Sequence, residues 1–81
     1  MRVKKTDGRE EEFVREKITV ALVKNGLDVD SARAIADSVE KKFSGRDMLT
    51  SSEIRSEVLD RLKERDATLY QRWLDFEKGK R

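Results

Sequence analysis

Val3-Lys4-Lys5-Thr6-Asp7-Gly8-Arg9-Glu10-Glu11-Glu12-Phe13, running directly into Val14-Arg15-Glu16-Lys17-Ile18, is the stretch whose reading decides the fold. Asp7-Gly8 is a strong hairpin signal, because a tight primed turn needs positive φ and Gly supplies it without steric cost. Strands are therefore expected over 2–6 and 9–13, the alternative being a charged tail before the first helix. Strands this short and charged are not stable alone, so a hairpin here must rest on an apolar surface. The helix that follows supplies one. Hairpin and first helix then form one unit, with Lys5, Glu11 and Lys17 near one another.

Outward from that unit the period is helical. Val14, Ile18, Ala21 and Leu22 fall on one stripe, expected to face the core. Asn25-Gly26 stops this helix, with Gly in the left-handed position past the last turn. Asp28 or Asp30 can cap a second helix whose Ala32, Ile35, Ala36, Val39 and Phe43 share a face. Ser44-Gly45 ends it. Residues 46–50 are too short for a helix and form either a loop or a third strand beside the hairpin. Thr50 and Glu53 have capping-box spacing ahead of a third helix carrying Ile54, Val58, Leu59 and Leu62. On that helix Asp60, Lys63 and Glu64 read as a solvated face. Asp66 can cap a fourth helix, with Leu69, Tyr70, Trp73 and Phe76 on its packed face and Gly79 as its stop. The expected fold class is α+β, mostly α: a four-helix bundle capped by a small β-hairpin or three-stranded sheet. Residues 1–81 are expected to form a single domain.

Composition narrows the function. A chain of this size buries roughly 60% of the surface it exposes when unfolded, so its core is thin. Apolar residues make up 36% and charged residues 44% of the 81. With neither Cys nor His, disulfides, thiolate metal sites and His-based acid–base chemistry are excluded. The expectation is no enzyme. Nineteen basic and 17 acidic side chains leave a formal charge of +2, and the two signs are finely interleaved. That pattern argues against nucleic acid as a partner, since no basic stripe stands out. No apolar run approaches the ~20 residues of a membrane span, and the N-terminus lacks a signal peptide's layout. A cytoplasmic location without membrane contact is expected.

Phosphate-binding glycine signatures are missing. In the acidic run Glu10-Glu11-Glu12, alternate residues of a strand face opposite ways, which argues against a metal site. What remains is cationic. Lys5 and Lys17, with Lys4 and Arg9 beside them, can converge on one end of the bundle and hold a polyphosphate as point charges. Thr50 or Ser51, at the start of the third helix, adds a hydroxyl and exposed backbone N–H groups. The competing reading is a set of ordinary surface lysines.

The pattern Val3-x-Lys5-x-Asp7-Gly8-x-x-Glu11-x-Phe13-x-x-x-Lys17-Ile18 resembles the opening motif of the ATP-cone domain. Ser51-x-x-Ile54-x-x-x-Val58-x-x-x-Leu62 and Ala67-x-x-Tyr70-x-x-Trp73 resemble its later helices, so the resemblance covers residues 3–77. That family occurs at the N-terminus of many ribonucleotide reductases and in the repressor of reductase genes. The resemblance implies a four-helix bundle under a three-stranded sheet, with ATP or dATP beneath the sheet and Mg2+ able to accompany the triphosphate. It implies that Val3 packs on the adenine and Glu11 helps to read the base. Lys5 would contact phosphates, Lys17 ribose or phosphate, and Ser51 would bring a hydroxyl to the phosphates. The family commonly has Arg where Thr6 stands, so Lys4, Thr6 and Arg9 are the candidates for further phosphate contacts. Val14 occupies a position that is polar near the base in some members. The expected function is a stand-alone nucleotide-binding regulatory module, acting allosterically on a protein in trans or on its own oligomeric state. The alternatives are a small helical nucleic-acid-binding or transcription-regulating module and a degenerate cone that serves only as an interaction domain.

Overall fold

The computed structural model describes residues 1–79. Its elements are β1 (Arg2–Lys4), β2 (Glu10–Glu12), α1 (Arg15–Lys24), α2 (Val29–Lys42), β3 (Met48–Thr50), α3 (Ser51–Arg65) and α4 (Ala67–Gly79). The fold is a mostly helical α+β bundle under a three-stranded sheet of order β2-β1-β3. β1 pairs antiparallel with β2 and parallel with β3. Residues 46–50 therefore supply a strand and not a plain loop. The parallel pairing needs a long crossover, which α1 and α2 provide.

The hairpin turn differs from the expected primed turn. The Lys5 carbonyl accepts from Gly8 N–H at 3.0 Å, and Lys5 N–H donates to the Arg9 carbonyl at 2.7 Å. Gly8 has φ 91°, whereas none of the described non-glycine residues has positive φ. Asp7 thus stays in the right-handed region. The loop is a three-residue Thr6-Asp7-Gly8 connection, a type I turn followed by a left-handed glycine. The Asp7 carboxylate accepts from Arg9 N–H at 3.1 Å. This longer loop shortens both strands relative to 2–6 and 9–13.

α1 begins at Arg15, two residues after Phe13. Val14 is its extended N-cap residue, 44% exposed. The stripe expected to enter the core divides. Leu22 is fully buried, with Thr19 beside it as the helix's other buried residue. Val14, Ile18 and Ala21 line a cavity under the sheet. The chain leaves α1 through a Schellman motif: Leu27 N–H donates to the Leu22 carbonyl at 3.1 Å and Gly26 N–H to that of Val23 at 3.0 Å. Gly26 makes this possible at φ 105°.

α2 is the centre of the core. Asp28 caps it by accepting from Ser31 N–H at 2.9 Å, and Ala32, Ile35, Ala36 and Val39 are all 0% exposed. α1 packs along one side of it and α3 along another. α3 starts at a complete capping box, Glu53 N–H to Thr50 Oγ1 at 3.1 Å and Thr50 N–H to Glu53 Oε1 at 3.0 Å. Val58, Leu59 and Leu62 are its buried residues. Asp66 caps α4 by accepting from Leu69 N–H at 3.0 Å. Only Leu69 of α4 is fully buried; Tyr70 and Trp73 pack partly against the core. Phe76, expected on the packed face, is 59% exposed beside Asn25, past the end of α1. Gly79 is the last described residue of α4, and the stop expected there lies outside the described residues.

Candidate functional site

The sheet's register decides which side chains meet the helices. Val3 lies opposite Glu11 on β2 and Leu49 on β3. Val3 and Leu49 are buried, so this row is the inner face. Side chains alternate along a strand, which puts Lys5 on the same side as Val3 and Lys4 on the other. Ser51 opens α3 directly after β3.

A cavity of about 250 Å3 lies between this inner face and α1, α3 and α4. Its wall is mostly apolar, with Val3, Val14, Ile18, Ile54, Val58 and Trp73 contributing. Lys5, Glu11, Glu12, Lys17, Ser51 and Arg55 are its polar members. Glu11 Oε1 stands 3.2 Å from Lys5 Nζ and 3.5 Å from Lys17 Nζ, so one carboxylate oxygen takes both ammonium groups. The hydrogen bond from Lys5 chiefly holds the Glu11 carboxyl below its ordinary range, and the charge of Lys17 adds to this. Arg55 sits one turn after Ser51 on the same face of α3, its guanidinium paired with Glu77 of α4.

The five residues Val3, Lys5, Glu11, Lys17 and Ser51 thus come together around one cavity. Lys4, Thr6 and Arg9 do not line it. Lys4 falls on the outer face by alternation, Thr6 lies in the turn, and the Arg9 guanidinium is taken by Asp7 at 2.7 Å. Arg55 was not singled out by sequence, although its i, i+4 spacing from Ser51 was a usable signal. Val14, expected in the core, is instead part of the wall. Among the described residues no group of three or more acidic side chains could hold a metal ion, and no helix is long and apolar enough to cross a membrane.

The architecture is a helical bundle with a small sheet over a cation-rimmed apolar cavity, the layout expected of an ATP-cone domain. Residues 1–74 match the ATP cone domain family, and the chain belongs to it. It is similar to the transcriptional repressor NrdR of Dictyoglomus thermophilum and to that of Dictyoglomus turgidum. Each is 38% identical over 75 residues, a match that covers 85% of this chain and 50% of the relative. The chain spans about half the length of the curated relatives it matches. Kinship with transcriptional repressors leaves the expectation against a nucleic-acid partner without support: an interleaved charge pattern in one part does not decide what a longer repressor contacts.

Proposed function

We propose that this chain is a nucleotide-binding regulatory module that takes ATP or dATP in the cavity beneath its sheet and performs no chemistry of its own. The observation that carries this reading is the meeting of Lys5, Lys17 and the α3 N-terminus at the rim of one apolar cavity. Small-molecule sites have this composition, mostly apolar walls with a few convergent polar groups. Val3, Ile18 and Ile54 offer flat apolar contact to a base. Lys5 and Lys17 hold the phosphate chain, and Ser51 adds a hydroxyl where the helix dipole also favours an anion. Mg2+ enters with the triphosphate. Regulation follows from differential affinity: nucleotide that binds better when the sheet is seated on the bundle favours that state and the surface it presents. The cytoplasm, where such nucleotides are held, is the proposed location.

The relatives' description as transcriptional repressors favours a second, compatible reading, in which the module regulates transcription as part of a longer protein or in trans. Trp73 is the single tryptophan of the chain and lines the cavity, so its emission reports occupancy directly. Titration with ATP or dATP should change Trp73 fluorescence saturably, and inorganic sulfate should not. A flat titration with every nucleoside triphosphate overturns the nucleotide reading. Anisotropy of a labelled DNA duplex at two salt concentrations, with and without ATP, tests the transcriptional one.

A further inference from the structure

We infer that Glu11 is a built-in competitor for the phosphate subsite and that it sets the site's preference for nucleotides over bare polyphosphate; the inference rests on the proposed nucleotide reading. One oxygen of Glu11 holds the ammonium groups of Lys5 and Lys17, at 3.2 and 3.5 Å. The register that pairs Glu11 with Val3 fixes this carboxylate on the inner face. Its neighbour Glu12 is occupied elsewhere, by the Met1 amino group at 3.3 Å and by Arg2 at 3.9 Å. Among the described residues, then, Glu11 is the carboxylate paired with both lysines.

A phosphate chain that enters must take the two lysines from Glu11. The displaced carboxylate is then left beside a polyanion, a like-charge contact that opposes binding. Glu11 can avoid that contact by turning to a hydrogen-bond donor. A nucleoside carries such donors away from the phosphate chain, an exocyclic amine and ribose hydroxyls, whereas inorganic tripolyphosphate has no donor outside the phosphates that the lysines hold. A bare polyphosphate therefore meets the full repulsion, and a nucleoside triphosphate meets only part of it. Two half-exposed lysines alone would accept any polyanion. The carboxylate between them makes the pair selective.

The test is calorimetric titration of the wild-type chain and of Glu11→Gln with ATP and with sodium tripolyphosphate, at low and at moderate salt. Glu11→Gln should bind tripolyphosphate about tenfold more tightly at low salt, from removing one negative charge a few ångströms from a multiply charged ligand. The gain should shrink as salt rises. ATP affinity should rise less, or fall, so the preference for ATP over tripolyphosphate narrows. Glu11→Ala, which removes the competitor without adding an amide, must move tripolyphosphate affinity in the same direction. Unchanged or weaker tripolyphosphate binding in both variants overturns the inference even if ATP still binds. Equal gains for the two ligands overturn its selectivity half. A wild-type chain that binds neither ATP nor tripolyphosphate, in company with variants that bind neither, overturns the nucleotide reading as well.

Discussion

Lys17 and Lys4 distinguish a defined site from diffuse positive charge. Lys17 is 66% exposed, and its ammonium reaches the cavity rim. Lys4 is exposed on the sheet's outer face. Lys17→Ala should leave the unliganded melt within about 0.5 kcal/mol of wild type, as for an ordinary surface change. It should weaken ATP binding by about 1.5–3 kcal/mol, the usual size of a charge-assisted hydrogen bond. Lys4→Ala should change neither, and calorimetry on both variants decides. Equal losses would mean that no geometry selects between the two lysines. The same contrast shows what was legible at this scale. Val3, Lys5 and Glu11 were readable because strand alternation around a turn is a rigid rule. Lys4 and Arg9 do not line the cavity, because alternation turns Lys4 outward and Asp7 holds the Arg9 guanidinium. Arg55 shares a helix face with Ser51 by its i, i+4 spacing, a signal in the sequence that the choice of site residues did not use.

Among the elements, α3 matters most to the site, since its first residues form part of the cavity rim. Its start is fixed by Thr50 and Glu53, and Arg46 reinforces the latter, with Nη1 2.5 Å from Glu53 Oε2. Thr50→Ala should cost about 1 kcal/mol, the usual worth of an N-cap side chain, read from denaturant melts. Glu53 is held below its ordinary value of 4.5, first by the Arg46 hydrogen bond and then by Thr50 N–H. Asp28 is lowered from 3.8 chiefly by the Ser31 backbone N–H, and Glu11 lies low for the reasons given above. A depressed carboxylate stabilises the fold above its unfolded value and loses that contribution as pH falls through the folded one. The melting temperature should therefore be level with respect to these groups from neutrality to about pH 5 and then decline in acid. Glu53→Gln should make the acid decline shallower; a melt curve of unchanged shape would remove Glu53 from the account. The caps at Thr50 and Asp66 were readable, and that of α2 was narrowed to Asp28 or Asp30, because capping is local chemistry. The hairpin turn was half readable: Gly8 took the left-handed position, but a type I turn with a left-handed glycine spared Asp7 the positive φ that a primed turn demands. The α1 stripe was readable as apolar, though periodicity cannot tell a core wall from a cavity wall.

For the whole molecule the decisive question is what couples the cavity to stability and assembly. The sheet is small, its strands are three residues each, and it is seated on the bundle mainly by Val3 and Leu49. α2, by contrast, carries four residues without any exposed surface. Stability is thus concentrated in the helices, and the sheet is the part that a ligand can most readily add to. A nucleotide held between Lys5 on the hairpin, Lys17 on α1 and Ser51 on α3 would tie three segments together. Binding to the folded state alone, at a hundred times Kd, adds roughly 2.7 kcal/mol. In a domain of this size that is a rise in melting temperature of roughly 10 °C or more. Millimolar ATP should produce such a rise, and sulfate at equal ionic strength should not. An equal rise with sulfate would reduce the site to general anion binding at a helix N-terminus. Light scattering on the same samples then separates two outputs. A change in mass with nucleotide makes self-association the consequence of binding, through the surface the seated sheet presents. A constant mass with a raised melt directs the consequence to a different protein, because the ligand's differential affinity must then be spent on a partner that is not another copy of this chain.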